Sequence, residues 1–222
     1  REIFGFFETA DARNVKIRNH KALSWMINND GIQPRSCTDL LVEHCFLKCN
    51  DDCIAVKTRR ALAMDSRRLL FRDLVIWNDL HGNPLEIGHT SQGDLLEDVT
   101  FQNVEIIHGM RSHTLDICII DHSTVQNVLY ENIYIEGVKC PLDFGIHVGR
   151  NHYSTDAERG RVKNVCFKGI FFDTEPQGGL INGTGNAMQY ANAGGCHPVS
   201  VEVSPDQPRC IDGVEFESIY QN

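Results

Sequence analysis

The sequence predicts an all-β chain folded as a right-handed parallel β-helix, and three observations lead to this prediction. A short alternation of apolar and polar residues recurs seven times along the chain. Each copy has the period of a strand with one buried face, and helical spacing fits none of them well. Short apolar runs between the copies, such as Ile54-Ala55-Val56 and Leu85-Glu86-Ile87, supply the additional strands that a β-helix coil needs.

One copy of the recurring segment is Asp98-Val99-Thr100-Phe101-Gln102-Asn103. The second residue of each copy marks its position in the chain. Leucine-rich repeats need a Leu and Asn ladder that is absent here, and propeller blades use tight hairpin turns that are scarce between these strands. A β-helix coil buries its inner face by stacking on neighbouring coils, which fits short strands repeated in this way. The second residues are Val15, Leu40, Leu69, Val99, Val128, Val165 and Val214, at successive intervals of 25, 29, 30, 29, 37 and 49 residues.

The chain is predicted to form a single β-helix domain over residues 1–222, lacking N-terminal coils. The last two intervals exceed one coil, and residues 149–160 and 174–210 are rich in Gly, Asn, Pro and polar side chains. Both segments are predicted to be loops, with 174–210 a long loop insertion. Because the open end of a β-helix needs a cap, the start near residue 1 predicts a missing N-terminal segment or an oligomer contact.

Composition excludes several classes of partner. The chain has 21 Lys and Arg against 30 Asp and Glu, a net charge of −9, and no basic cluster, which argues against nucleic acid. No window of 18 apolar residues exists, so no membrane span is predicted. Nine cysteines include no Cys-x-x-Cys pair, which argues against zinc ribbons and thioredoxin-like motifs. These features are compatible with a carbohydrate partner.

Three carboxylates recur at the spacing of one coil. Asn28-Asn29-Asp30-Gly31 is followed by Asn50-Asp51-Asp52-Cys53, which places the acidic pair 21 and 22 residues after Asp30. The motifs are therefore expected to stack, and mutual repulsion then raises at least one pKa, as a general acid requires. An Asp-Gly pair alone is ordinary turn chemistry. The Asp-Asp pair is harder to explain as a turn, since no Lys or Arg in the motif offsets the repulsion.

The two motifs resemble those of the polygalacturonase family, glycoside hydrolase family 28, which reads Asn-Thr-Asp-Gly and then Gly-Asp-Asp-Cys-Ile-Ala. The resemblance implies a pectate-lyase/polygalacturonase-like solenoid, a secreted or periplasmic location, and an O-glycosyl hydrolase. It also implies inversion at the anomeric carbon, with Asp51 as general acid and with Asp30 and Asp52 holding the attacking water. Carboxyls on adjacent coils lie closer than the roughly 6.5–9.5 Å usual for inverting enzymes, so spacing alone favours retention.

Two further motifs of that family are altered. Gly82-Asn83-Pro84 stands where Gly-His-Gly is expected, with His81 and His89 on either side. Asp116-Ile117-Cys118 stands where the family has Arg-Ile-Lys, the basic pair that contacts the substrate's carboxylate. Because an Asp at that position repels a uronic acid, the predicted substrate is a neutral poly- or oligosaccharide. Dextranases and certain α-galactosidases of related β-helix families show a similar arrangement.

Neutral-sugar sites use carboxylates and aromatic side chains, which identifies candidate substrate-binding residues. Neither a metal nor a cofactor is assigned from the sequence. His108, His113 and His122 lie in one coil, but their spacing fits no helix-borne ligand motif. The candidate substrate-binding residues are Glu86, His89, Asp116 and Trp77.

The sequence is also compatible with two other functions. A non-catalytic carbohydrate-binding β-helix fragment is favoured by the missing His, the missing basic pair and the abrupt start of the chain. A polysaccharide lyase or epimerase is also often a β-helix. Such enzymes need a basic residue and usually a cation beside a uronate, so three Asp without Arg or Lys weigh against this class.

Overall fold

The computed structural model describes residues 7–59, 65–150, 153–183 and 210–221, together with the backbone of 196–203. The strands in these residues are Phe7–Ala10 (β1), Arg13–Arg18 (β2), Lys21–Leu23 (β3), Ile32–Arg35 (β4), Thr38–Cys49 (β5), Ile54–Val56 (β6), Ser66–Asn78 (β7), Leu85–His89 (β8), Leu95–His108 (β9), His113–Ile119 (β10), Thr124–Ile135 (β11), Leu142–Val148 (β12), Arg161–Phe172 (β13), Gly178–Gly183 (β14), Cys196–Val203 (β15) and Ile211–Gln221 (β16).

The strands form two parallel sheets that the chain visits alternately. The short-strand sheet has the order β1-β4-β6-β8-β10-β12-β14-β15. The long-strand sheet has the order β2-β5-β7-β9-β11-β13-β16, with β3 also paired to β5. Each coil therefore adds one strand to each sheet, directly beside the strand of the preceding coil. This arrangement confirms the predicted parallel β-helix.

Left-handed residues bend each long strand and explain the sequence repeat. Asp73, Asn103 and Asn132 have φ values of 55°, 53° and 55° and occupy the same corner of successive coils. Asn and Asp tolerate this conformation better than other non-glycine residues. Asn103 Nδ2 donates to Asp73 Oδ1 at 3.0 Å, and Asn132 Nδ2 donates to Asn103 Oδ1 at 3.2 Å. In these three copies, the polar residue that closes the repeat is thus a corner residue whose side chain is hydrogen-bonded to the neighbouring coil.

A column of aromatic rings runs through the largely aliphatic core and ends at the exposed Phe216. Phe71, Phe101, Tyr130, Phe167 and Phe216 stack with successive ring centroids 4.9, 5.0, 4.9 and 5.0 Å apart. This distance matches the spacing of hydrogen-bonded strands, because each coil contributes one ring at the same register position. The column fixes the register of the coils, and hence the stacking of the turns that carry the predicted carboxylates.

The predicted loop insertion at 174–210 differs from what the structure contains. Strands β14 and β15 lie within this range and extend the short-strand sheet. The glycines that indicated a loop are explained by close packing, since a Cβ on Gly179 would lie 2.8 Å from Cβ of Phe144. Residues 184–195 and 204–209 of the predicted loop lie outside the described residues.

Two other sequence features can be compared with the structure. The part of the chain that the structure describes contains no helix long and apolar enough to cross a membrane. Eight of the nine cysteines are described as free thiols, and most of them are buried. Cys53, next to the acidic pair, is fully buried and packs as a small apolar side chain.

Candidate active site

Three stacked turns carry the predicted carboxylates into the short-strand sheet. Asp30 precedes β4, the Asp51–Asp52 pair precedes β6, and Asn83 precedes β8. The backbone N–H of Gly31 donates to the Asp52 carbonyl at 2.8 Å, and the N–H of Cys53 donates to the Asn83 carbonyl at 3.1 Å. Each turn therefore hydrogen-bonds to the turn of the next coil, as the one-coil spacing of the motifs predicts.

Glycines allow these turns to approach one another. A Cβ on Gly31 would lie 2.4 Å from the carbonyl oxygen of Cys53. Gly82 has a φ of +66°, and a Cβ there would lie 2.4 Å from the backbone nitrogen of Asp52 and 2.5 Å from Oδ1 of Asp51. Any larger residue at position 82 would displace the acidic pair, so this glycine helps to position the carboxylates.

The three Asp side chains converge. One carboxylate oxygen from each of Asp30, Asp51 and Asp52 lies within 4.8 Å of the other two. Asp30 and Asp52 are 8% and 9% exposed, whereas Asp51 is half-buried. Asp51 accepts hydrogen bonds from the backbone N–H groups of Asp52 at 3.0 Å and Asn28 at 3.2 Å. The most accessible member of this group, which we call the Asp trio, is therefore also held by two backbone donors.

A lysine that the sequence analysis overlooked lies beside the trio. Lys57 Nζ is 3.9 Å from Oδ2 of Asp30, and the same oxygen accepts a hydrogen bond from Nε2 of Gln33. Gln33 is held in turn by Arg35, whose Nε donates to Gln33 Oε1 at 2.7 Å. The motif itself contains no Lys or Arg, but Lys57, which lies beyond it, offsets part of the repulsion. The available signal was its position two residues after Ala55, which places both side chains on one face of the strand.

The surroundings of the trio favour the protonated form of its buried carboxyls. Burial raises the pKa of Asp52 to about 7, with further upward shifts from Asp30 and Asp51 and an opposing effect of Lys57. Burial also raises the pKa of Asp30, again opposed chiefly by Lys57. Because Asp30 and Asp52 interact, their raised pKa values belong to the buried pair rather than to either carboxyl alone. The Asp trio therefore holds a proton up to about neutral pH.

A second pair of carboxyls lies on the adjoining coils. Glu86 and Asp116 are register partners in β8 and β10 and are 2% and 4% exposed. Asn83 Nδ2 donates to Oε2 of Glu86 at 2.5 Å and lies 3.4 Å from Oδ2 of Asp116. Burial, then the neighbouring Asp116, raises the pKa of Glu86 well above its usual value. The residue that replaces the expected histidine thus links this pair to the Asp trio.

Two histidines, one on the same strand as Asp116 and one on the next coil, lie close to its carboxylate. His113 lies at the start of β10 and His147 in β12, and their Nε2 atoms are 3.1 Å apart. Burial opposes protonation of His113, but the adjacent Asp116 raises its pKa. Burial lowers the pKa of His147 to about 4. Burial would raise the pKa of Asp116, yet the two histidines and a bond with Glu86 lower it to about 2.

The remaining candidate sugar-binding residues are placed differently. His89 ends β8 in a left-handed conformation, and its ring lies 5.5 Å from that of Tyr153. Trp77 belongs to the long-strand sheet, where its ring packs 4.9 Å from His108 and 4.5 Å from Lys48 Nζ. The structure therefore brings Glu86 and Asp116 together but places Trp77 on the other sheet. Trp77 follows the left-handed corner at Asp73 in β7, a bend that the local sequence pattern did not reveal.

Three groups in this region have donor atoms close enough to share one cation. The first is the Asp trio, the second is the set His113, Asp116 and His147, and the third is the set Glu86, Asp116 and Cys118, each with its donor atoms within 4.8 Å of one another. Lys57 already supplies positive charge to the trio. The second group combines two imidazoles with one carboxylate, a donor set typical of transition-metal sites.

The model of a known protein family matches residues 7–179, and that family is described as glycosyl hydrolases family 28. The match covers all the turns and strands that form the candidate site. It ends within β14, before the last strands of both sheets.

Named relatives are distant and longer. A probable endopolygalacturonase D of Neosartorya fischeri is 24% identical over 147 residues, which are 65% of this chain and 28% of the relative. A probable polygalacturonase of Vitis vinifera is 25% identical over 139 residues, 59% of this chain and 28% of the relative. A probable endopolygalacturonase D of Aspergillus niger is 24% identical over 164 residues, 73% of this chain and 30% of the relative. The chain thus matches less than a third of each relative's length.

Proposed function

Because the chain belongs to glycosyl hydrolases family 28, we propose that it hydrolyses glycosidic bonds of a neutral poly- or oligosaccharide with inversion at the anomeric carbon. The observation that carries this proposal is the Asp trio, with three carboxylate oxygens within 4.8 Å and a pKa of about 7 at Asp52. A group that retains one proton while its other members are ionised supplies both an acid and a base.

The proposed roles follow from exposure and from the family resemblance. Asp51 is the general acid, since it is the most accessible of the three and can reach the oxygen of the leaving sugar. Asp30 and Asp52 are buried side by side and hold the water that attacks the opposite face of the ring. The proton lost by this water returns to the trio, which restores its initial state for the next cycle.

The preference for a neutral sugar rests on charge. Asp116, with a pKa of about 2, is ionised at all working pH values and occupies the position where the family resemblance places a basic residue. Glu86 lies beside it, and Asn83 spans both. A uronate carboxylate bound over this buried pair would meet the negative charge of Asp116, whereas a neutral sugar would not be repelled. Glu86, Asp116 and His89 are the proposed substrate-binding residues.

The test is the release of reducing sugar from a panel of neutral polysaccharides and polygalacturonate. Wild-type protein is compared with Asp51→Asn and with Asp212→Asn, a control at an exposed position in β16. Release from a neutral glycan that is lost in Asp51→Asn and kept in Asp212→Asn supports the proposal. Release from polygalacturonate alone, the polymer that the relatives' names point to, overturns the substrate assignment.

Stereochemistry is tested separately by proton NMR of the first product. Inversion gives the anomer opposite to the bond that was cleaved, whereas a covalent intermediate gives the same anomer. Retention would overturn the proposed water-holding role of Asp30 and Asp52. Absence of hydrolysis from the entire panel would favour a carbohydrate-binding β-helix instead.

A further inference from the structure

We propose that His113, Asp116 and His147 bind a divalent transition-metal ion, with Zn²⁺ as the best match. The site lies beside the Asp trio but shares no residue with it. The proposal does not depend on the glycosidase activity, because it concerns the binding of an ion by the protein alone.

The two imidazoles lie at a distance suited to sharing one ion. His113 Nε2 and His147 Nε2 are 3.1 Å apart. Two nitrogens bound tetrahedrally to Zn²⁺ at 2.0–2.1 Å are separated by about 3.3 Å. The observed separation is therefore close to that of two ligands on one zinc ion, and small side-chain rotations would complete the fit.

The carboxylate supplies an independent observation. Asp116 is 4% exposed, and its Oδ1 has no hydrogen-bond partner among the residues that the structure describes. This oxygen lies 3.9 Å from Nε2 of His147. A buried carboxylate oxygen without a partner is costly, and such atoms often mark the position of an ion. Oδ1 is the proposed third ligand.

Surrounding contacts orient these ligands. Oδ2 of Asp116 lies 3.4 Å from Asn83 Nδ2 and 3.5 Å from His113 Nδ1. His113 Nδ1 also lies 3.1 Å from the hydroxyl of Ser112. Metal-binding histidines usually engage their second ring nitrogen in this way, and an ion bound by both Nε2 atoms would replace their mutual 3.1 Å contact.

The donor set determines the class of ion. Two imidazoles and one carboxylate suit Zn²⁺ and neighbouring first-row ions, whereas Ca²⁺ and Mg²⁺ prefer oxygen ligands. Three protein ligands leave a fourth position for water or a sugar hydroxyl. Since His113 and Asp116 lie in β10 and His147 in β12, the ion would also join two coils.

Binding is measured on the whole chain without substrate, by calorimetry with Zn²⁺ and by the visible spectrum with Co²⁺. We expect one equivalent of either ion, intense Co²⁺ bands typical of a tetrahedral site, and a rise in Tm. His147→Ala should weaken Zn²⁺ binding by at least about tenfold and abolish the Co²⁺ bands. His147→Gln replaces it if circular dichroism shows that His147→Ala is unfolded.

His122→Ala is the matched control. Both ring nitrogens of His122 are already engaged, with Asp156 at 2.6 Å and with Asp94 at 3.0 Å. Binding unchanged in His122→Ala and lost in the His147 variants supports the site. Wild-type protein that binds less than one equivalent, or His147 variants that bind as tightly as wild type, would overturn it. The saccharide panel is run first on chelator-treated protein, because a bound Zn²⁺ would offset the charge of Asp116 on which the preference for a neutral sugar rests. A second panel on Zn²⁺-loaded protein keeps the two proposals distinguishable.

Discussion

The backbone N–H of Asn83 donates a 2.8 Å hydrogen bond to Oδ1 of Asp52 across the boundary between two coils. The same residue uses its side-chain amide to bind Glu86 and accepts a hydrogen bond from the N–H of His113 at 2.9 Å. Asn83 is thus the point where the Asp trio meets the second carboxyl pair. Its three contacts explain why an amide is well suited to a position where the family resemblance predicts histidine.

Replacing Asp52 by Asn should stabilise the protein at alkaline pH. The folded pKa of about 7 lies above the usual value of 3.8, so folding binds protons between these two values and stability falls as pH rises through this range. Above pH 7 the charged form of Asp52 therefore lowers the free energy of unfolding by up to about 4 kcal/mol. Asp52→Asn removes this loss of stability. Urea unfolding at pH 4 and pH 8 measures the effect.

The control for that experiment is Asp212→Asn, because Asp212 is exposed. We expect its stability to follow that of wild type at both pH values. An Asp52→Asn variant with the same stability as wild type at pH 8 would show that the folded protein does not disfavour this charge.

The hydrolysis rate should fall above about pH 7. The Asp trio loses its shared proton in this range, and without it the leaving sugar cannot be protonated. The profile of kcat/KM against pH on the best substrate of the panel measures this decline, with circular dichroism at each pH to confirm folding. A rate that stays constant to pH 9 would contradict a proton held with this pKa.

Gly82→Ala should destabilise the protein more than Gly137→Ala, by about 1–3 kcal/mol. Both glycines have positive φ, at +66° and +57°, so the backbone strain is similar. A Cβ at position 82 would also lie 2.4 Å from the nitrogen of Asp52, whereas at 137 the nearest atom is 3.3 Å away. Thermal unfolding gives the difference, and equal losses would mean that the turn around Asp52 yields easily.

Asn103→Ala should be less stable than Asn103→Gly by about 1 kcal/mol. Both variants lose the hydrogen bonds to Asp73 and Asn132, but only alanine also bears the strain of a φ of 53°. Urea denaturation of the two variants isolates this backbone contribution. Equal stability would indicate that the corner relaxes out of the left-handed region.

Periodicity within one coil could be predicted from the sequence, and contacts between side chains of distant positions could not. The alternation around Phe101 and the one-coil spacing from Asp30 to Asp51 are local patterns, so they predicted a strand and a stacked pair of turns. Lys57, which follows β6, and His147 in β12 reach the site only through the pairing of neighbouring coils. The loop prediction at Gly179 failed because a glycine required by Phe144 resembles a glycine in a loop.

The unequal lengths of the coils determine which segments of the chain can vary in sequence. Paired positions in the long-strand sheet are 29, 30, 29 and 37 residues apart from Leu40↔Leu69 to Val128↔Val165, yet the ladder continues in register. The eight additional residues of the last interval (37 against 29) are accommodated outside the ladder, in connections such as 153–160. Evolution or a protein engineer can therefore exchange these connecting segments while the turns that carry the Asp trio stay in place.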